Sequence, residues 1–482
     1  MAINSDVRAP LPTIEYNKYV EIVNDTNFPK LSTTRQTPYG GVETLTFPKY
    51  AMLTYNINSG TTTVGQVNGL PFGDNAALDG FGKLRVTTPK TLFDAKQLSN
   101  KLPSVFDEII NGTATSVWQK GDSMTKMTTS TSGDFVIRQT PARFNYQPGK
   151  SMLAYFTGVF NPQTNVIKRI GLFQGLSSAP YTPTDGIFIE STDGVSGYVA
   201  FRVLKTEGTY YALSAAQPAW NLDRLDGTGP SGLTINFNFA QLLVIDYEWL
   251  GVGRIRCGFN IAGKTIYAHE FTHSAGITAP YMTSGNQPVR YEIRQTGAGS
   301  GLMNHICTSV MSEGGEEYIG TSISAELSAA AGAAMVGITT NDTVYRPILA
   351  VRLNPTAHDL ALIAKTIHIC NTGANDVIFK VVENPTITGG SLVFNNLPDT
   401  ELVQQANGSA SLGLSGGTTL ITGFAAKGNA AVRSGSTNGD LLGELAILGT
   451  RINGTPETFV IAAKSVSGAA TIFASIDMIL RS

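Results

Sequence analysis

The sequence predicts an all-β protein in which a large two-sheet jelly roll is preceded by an extended arm and followed by a smaller C-terminal β-sandwich. Three observations carry that expectation. Runs of β-branched and aromatic residues, many alternating with polar ones, end at Gly, Pro, Asn or Asp, the pattern of half-buried strands. Gly and Pro supply 73 of the 482 residues, which fits a fold with many turns. Aromatic residues divide the chain: 36 of the 42 Phe, Trp and Tyr fall in residues 1–320 and 6 in 321–482.

The arm comes first. Residues 1–84 contain Pro10, Pro12, Pro29, Pro38, Pro48 and Pro71. Proline fixes φ and removes a backbone donor, so this stretch cannot form one continuous element. The segment NSGTTTVGQVNG at 58–69 has a flexible composition. We read 1–84 as an anchor arm with a few short strands, of the kind that orders on a neighbouring subunit.

Residues 85–325 read as the jelly roll. Strand patterns occur at 151–160, 166–174, 186–190, 197–205, 233–239, 241–250, 252–261, 264–272 and 289–296. In LTINFNF, Leu233, Ile235, Phe237 and Phe239 share one face, while Thr234, Asn236 and Asn238 share the other. One dry and one wet face is the mark of an antiparallel sheet. Strand number and spacing suit a concanavalin-like sandwich. Residues 91–111 are expected to hold one or two short helices, broken at Pro103. A linker at 326–340, rich in small residues, leads to the C-terminal sandwich at 341–482. Its strands are expected at 345–354, 362–371, 376–384, 441–449, 458–465 and 469–480. NPT follows a strand twice, at 354–356 and 384–386, and Asn-Pro marks a turn. No solenoid or propeller period occurs.

Composition narrows the function. Lys plus Arg is 34, Asp plus Glu is 36 and the net charge is -2. The densest basic spot, Lys168-Arg169, is too small for tracking a nucleic-acid backbone. Charged residues are 15% of the chain and hydrophobic ones 42%, against a usual charged share of ~25%. Such a chain folds around a core and exposes an uncharged surface of the kind covered in assemblies. Cys257, Cys307 and Cys370 are odd in number and widely spaced, so they form neither a disulfide framework nor a zinc ribbon. The N-terminal MAINSDVRAPLP lacks an apolar signal-peptide core. The apolar stretch at 327–338 is shorter than a membrane span. The expectation is a protein made in the cytoplasm that stays soluble.

Candidate chemistry is sparse. His269-Glu270-Phe271-Thr272-His273 matches H-E-x-x-H. Zinc chemistry needs that motif on a helix, where both imidazoles face one metal and the glutamate acts as base. Here Thr265, Ile266, Tyr267, Phe271 and Thr272 favour a strand, and Ala279 stands where the longer motif needs a third histidine. On a strand the two rings lie ~13 Å apart, at ~3.3 Å per residue, too far to share a metal. We therefore expect a strand with two half-exposed histidines. Asp246 and Glu248 form a D-x-E pair on one strand face. Paired carboxylates on a jelly-roll strand suit a glycoside hydrolase, but the longer E-x-D-x-E run is absent, and a wet strand face accounts for them. Asn221, Asp223 and Asp226 before Gly227 offer oxygen ligands without EF-hand spacing; an Asp/Gly turn set that bonds its own backbone is the simpler expectation. Glu313, Glu316 and Glu317 are weighed the same way. No phosphate-binding glycine loop and no G-x-S-x-G occurs. No catalytic, cofactor-binding or metal residue is therefore assigned, and no cofactor is expected.

Two stretches bear a resemblance. DGFGKLRV (79–86) is followed by TLFDAKQL (91–98) and FDEIINGTATSVW (106–118), and VIRQTPARFNYQPGKSMLAYFTGVF spans 136–160. With DGIFIE (185–190), IDYEWLGVGRIRCGF (245–259) and the NPT-containing tail, they resemble a family of structural proteins of tailed-phage particles, with relatives in large viruses. The resemblance spans roughly 79–482 and is most specific over 79–160; the arm lies outside it. It implies a non-enzymatic virion protein, labelled in the family as minor capsid, head-fibre, decoration or tail component, with no catalytic residues to carry over. It also implies assembly in the host cytoplasm, a homo-oligomer (a trimer by analogy), and contacts with major capsid or tail proteins; the charge balance and the short apolar stretch lead us to expect no nucleic acid and no membrane. The alternative is a receptor- or glycan-binding module in which Trp118, Trp220 and Tyr281 stack on sugars. A carbohydrate-active or zinc hydrolase ranks third.

Overall fold

The structure is a computed structural model. It describes residues 78–192, 199–314, 320–327, 336–341, 343–428 and 447–481, together with the backbone of three strands before residue 50 and one at 430–434. Two compact units result, 1–70 and 71–482.

In the first unit β1 (Val20–Val23), β2 (Lys30–Gln36) and β3 (Val42–Pro48) form an antiparallel meander. These are the short strands expected between the prolines.

The jelly roll of the second unit begins with β4 (Lys90–Lys96), β5 (Asp107–Asn111), β6 (Thr115–Gln119), β7 (Met124–Thr129), β8 (Phe135–Gln139) and β9 (Met152–Val159). It continues with β10 (Val166–Gly175), β11 (Pro183–Ser191), β12 (Val199–Lys205), β13 (Tyr211–Ala216) and β14 (Gln241–Tyr247). It closes with β15 (Ile255–Ile261), β16 (Lys264–Phe271), β17 (Val289–Gln295) and β18 (Gly301–Ser312). One sheet has seven strands in the order β13-β12-β11-β10-β17-β8-β5. The other has eight, β16-β15-β14-β9-β18-β7-β6, with β4 beside β18. The two-sheet expectation holds. Both sheets contribute to one core, in which Ile170, Ile187, Phe201 and Tyr291 of the first meet Phe156, Ile245, Phe259 and Val310 of the second. A fully buried Phe or Ile of this kind contributes about 1.5–3 kcal/mol.

Two local expectations fail. Residues 91–111 form β4 and β5 rather than helices. Strand β4 pairs with β18 from Cys307↔Lys96 to Ser312↔Lys90, and this ladder outweighs the weak helical propensity of TLFDAKQ. LTINFNF is not a strand; its ladder contact is the isolated bridge Asp226↔Thr234. Its alternation serves another purpose. Ile235 and Phe237 plug the core, Phe237 lying 5.8 Å from Phe259 and 5.6 Å from Phe160, while Phe239 stays exposed.

The C-terminal sandwich starts with β19 (Thr321–Glu326), β20 (Ile338–Thr340), β21 (Arg346–Leu353), β22 (Ala361–Asn371) and β23 (Val377–Glu383). Next come β24 (Thr386–Thr388), β25 (Asn395–Leu397), β26 (Thr400–Asn407), β27 (Gly413–Ser415) and β28 (Thr418–Ala425). The last are β29 (Ala430–Ser434), β30 (Ile447–Leu448), β31 (Thr458–Ser465) and β32 (Ala470–Arg481). One six-stranded sheet is built on β19-β32-β22-β29 and the other is β25-β26-β21-β31-β23-β28. Leu362, Ile367 and Ile476 of the first pack with Val351, Val381 and Ile461 of the second. Strand β19 pairs with β32, so this sandwich begins before the expected linker at 326–340. Of the strand expected at 441–449, the part at 441–446 lies outside the described residues.

Candidate anchor site

The densest buried ionic cluster on the eight-stranded sheet surrounds Asp246 of β14. Along β14, Leu243, Ile245 and Tyr247 face the core, so period-two alternation turns Asp246 to the opposite face. There it is fully buried. Its register partner Arg256 donates to Asp246 Oδ2 at 2.6 Å. Tyr267 Oη donates to the same oxygen at 2.7 Å, and Ser151 Oγ donates to Oδ1 at 2.8 Å. The Arg256 guanidinium stacks 4.2 Å from the Tyr267 ring centre. Burial pushes the Tyr267 hydroxyl well above its ordinary pKa, so it stays a donor.

A short strap closes over this cluster. Leu78 bridges Leu84, Asp79 N donates to Lys83 O, and Gly82 at φ +75° supplies the turn. Arg85 then reaches in. Its Nη2 donates to Asp246 Oδ2 at 2.6 Å and its Nη1 bonds Glu313. Leu78 O accepts from Arg85 Nε at 3.0 Å and Arg256 Nη2 at 2.7 Å, and Gly80 O accepts from Arg254 Nη2 at 2.9 Å. Gly80 N donates to Ser151 Oγ at 3.0 Å, and a Cβ there would lie 2.7 Å from that oxygen. Two guanidiniums, Arg85 and Arg256, thus meet two carboxylates, Asp246 and Glu313, beside the hydroxyls of Ser151 and Tyr267. A buried charge set is tolerated when it is neutralised and hydrogen-bonded in this way.

Three segments far apart in sequence converge here. Residues 79–86 provide the strap, 136–160 provide Ser151, and 245–259 provide Asp246, Arg254 and Arg256. The expected wet face at Asp246 and Glu248 is therefore corrected. Asp246 is sealed under the strap. Glu248 Oε1 accepts from Arg254 N at 3.1 Å, and burial raises its pKa.

The seven-stranded sheet carries a second ionic array on its outer face. Arg202 donates to Glu190, Arg169 donates to Glu190 and Glu292 (2.6 Å each), and Arg290 and Arg294 both pair with Glu292. Burial alone would raise the pKa of Glu292, but the three guanidiniums hold it at about 2. A carboxylate held this way is neither a proton donor nor a free base near neutral pH. On the C-terminal sandwich, Asp477 accepts from Ser324 Oγ at 2.8 Å and faces His368 Nε2 at 3.0 Å. The carboxylate sits between serine and histidine, which is the wrong order for activating the serine.

The remaining sequence candidates fall as follows. His269 and His273 are buried rather than half-exposed. His269 lies on β16 and accepts from Asn221 N at 3.2 Å; His273 Nδ1 lies 2.6 Å from Gly253 O and its ring stacks on Tyr281 at 4.1 Å. Burial lowers both pKa values, that of His269 to about 4. Glu270 pairs with Arg254 at 3.0 Å. Asp223 accepts from Leu225 N and Ser231 N, and Asp226 from Thr228 N, as the Asp/Gly turn reading expects. Glu313 is the strap's partner, while Glu316 and Glu317 lie outside the described residues. Trp220 and Tyr281 are core residues and offer no sugar platform. Trp118 is half-buried on β6, its Nε1 donating to Gln97 O at 2.8 Å. Among the described residues no three His, Cys, Asp or Glu side chains converge as metal ligands. No helix of the described residues is long and apolar enough to cross a membrane.

No family model matches the chain, and no curated protein matches it. Solved structures similar to it include the Emp47p carbohydrate recognition domain, 11% identical, covering 46% of this chain and 96% of that one at a TM-score of 0.30. The endo-β-1,4-glucuronan lyase of Trichoderma reesei is 14% identical, covering 46% and 95% at 0.31. The Bacillus licheniformis β-glucanase is 12% identical, covering 47% and 99% at 0.30.

Proposed function

We propose that the chain is a non-enzymatic structural protein of a virus particle. The N-terminal arm, residues 1–84, anchors it, and the jelly roll and C-terminal sandwich form the body presented to partners or solvent. One observation carries this reading. Three of the stretches that resemble particle proteins, 79–86, 136–160 and 245–259, contribute to one buried device, the Arg85–Asp246–Arg256 clamp, which ties residues 78–85 to the jelly-roll sheet. Three arginines hold the pKa of Glu292 at about 2, so that carboxylate does not move a proton near neutral pH. Gold-labelled antibody raised against the purified chain, applied to density-banded particles from the source, tests the reading. Regular decoration of heads or tails is expected. Unlabelled particles from a lysate that contains the chain would overturn it.

Glycan binding is the second reading, favoured by Trp118. Its indole is fixed by the bond to Gln97 O and is only partly covered. A rigid, partly exposed ring is a platform for a sugar face. Binding on a glycan array that Trp118→Ala removes would establish this reading, and an array without signal would end it.

A further inference from the structure

The two sandwiches of the second unit meet through a hook, the loop from Gly449 to Pro456 that connects β30 to β31. Thr450 bridges Pro456, and Arg451 N donates to Thr455 O. The hook enters the jelly roll at its tip and its base. Ile452 packs with Phe135 and Ile137, bordered by Ile109 and Tyr181, and its N–H donates to Asp107 Oδ2 at 2.9 Å. Thr450 N donates to Pro141 O at 3.2 Å. Away from the hook, Arg143 of the jelly roll lies 3.4 Å from Asp359.

Behind the hook lies a cavity of about 390 Å³. The jelly roll lines it with Lys101, Asp107, Glu108 and Arg138, and the C-terminal sandwich with Glu383, Arg451 and Glu457. On the jelly-roll side Lys101 is bonded to Glu108, Arg138 lies 3.6 Å from Glu108, and Asp107 holds the hook backbone. On the other side the carboxylates of Glu383 and Glu457 share the field of one cation, Arg451. Glu457 closes the hook's base, accepting from Gly449 N at 3.3 Å and from Asn384 Nδ2 at 3.1 Å. An adjoining cavity that also reaches the pair is lined by Lys90, Asp94, Arg143 and Arg481.

We propose that Glu383 and Glu457 form an acid-tightened latch, in which one proton taken up by the pair as pH falls below neutrality closes the hook onto the jelly roll. Glu457 is buried and Glu383 partly buried at the cavity wall, so two negative charges there oppose closure and one charge is tolerated. Burial, then the neighbouring Glu457, raises the pKa of Glu383 to about 7, and burial raises that of Glu457 too. A raised folded-state pKa gives stability that is full below the ordinary carboxylate pKa and is lost as pH rises through about 7. Opening the hook wets the cavity and returns Glu383 towards its ordinary value. The junction is therefore tighter in acid and looser in mild alkali, the reverse of ordinary acid unfolding.

The test is amide hydrogen exchange of the full chain, corrected for the intrinsic pH dependence of exchange, with the hook amides from Gly449 to Glu457 read against those of β10 and β11. Between about pH 8 and 5.5 the wild-type hook should gain about tenfold protection relative to the reference strands. Glu383→Gln, with one charge removed permanently, should be protected at both ends of the range. Arg451→Gln, which removes the shared cation, should shift the protection change to higher pH. Asp185, whose pKa burial also raises to about 7, is the same in all three proteins and cancels from the comparison. A wild-type hook whose relative protection ignores pH overturns the latch, as does a Glu383→Gln hook that keeps the full wild-type response.

Discussion

Arg85 and Asp246 are 161 residues apart in sequence and 2.6 Å apart in the folded chain. Their contact fastens the strap to the sheet, and the strap covers Asp246 completely. Arg85→Ala removes one of the two guanidiniums from Asp246 and leaves Arg256 in place. Stability should fall by about 2–3 kcal/mol, the scale of losing a charged hydrogen bond in a buried setting. Asp246→Ala strands Arg256, itself fully buried, and should cost more, about 3–5 kcal/mol. Urea midpoints measure both. Two midpoints equal to wild type would show that the strap is held by backbone contacts alone.

Glu292 gives a prediction of opposite sign to the latch. Its pKa is held at about 2, so its stabilising effect is full above the ordinary carboxylate value and is lost as pH falls towards 2. Glu292→Gln should destabilise by about 3–5 kcal/mol at pH 7, because Arg290 is fully buried beside it. The gap between wild type and variant should narrow steadily from about pH 4.5 downward. Denaturant titrations across that range measure it. A gap that stays constant in acid would mean that packing of the side chain, rather than its charge, is what matters.

The histidine pair should behave as structure. His273 stacks on Tyr281 at 4.1 Å and meets Tyr211 edge-on at 5.7 Å, and His269 lies edge-on to Phe271 at 4.4 Å. His273→Ala should lose about 2–4 kcal/mol by opening a cavity. Zinc titration followed by calorimetry should give no stoichiometric heat with either the wild type or the variant. A saturable zinc signal lost in His269→Ala would revive the metal reading.

Much of the architecture could be read from the sequence, and the failures have physical causes. Strands β9 to β12 and β14 to β17 matched runs of β-branched and aromatic residues because their buried faces are apolar. Strand β18 escaped notice because its inward positions include His305 as well as Met303 and Val310. His305 is fully buried and stacks on Tyr291 at 3.7 Å, so a core residue looked polar on the page. LTINFNF failed for the opposite reason. It alternates like a strand, but a loop can also insert every second side chain into a core. The anchor cluster was half legible. Asp246 was singled out for its spacing to Glu248, while its partners Arg85, Ser151 and Tyr267 come from distant segments that periodicity cannot join. The hook was invisible, since its fit depends on Gly449 meeting Pro141 across two sandwiches.

That fit gives the last prediction. A Cβ built on Gly449 would lie 1.8 Å from Pro141 O. Two backbones meet there, so no flexible side chain can move aside. Gly449→Ala should push the hook off the jelly roll, break the Thr450 N to Pro141 O bond and lift Ile452 from its seat against Phe135 and Ile137. The expected cost is about 1–3 kcal/mol, as for overpacking a filled site. It should fall on the junction, because neither sandwich core contains Gly449. Trypsin cleavage after Arg451 should accelerate severalfold while near-ultraviolet dichroism from the jelly-roll aromatics stays unchanged. Cleavage at the wild-type rate would mean that the contact at Pro141 does not hold the hook in place. Acceleration together with loss of the aromatic signal would mean that the two sandwiches unfold as one cooperative unit.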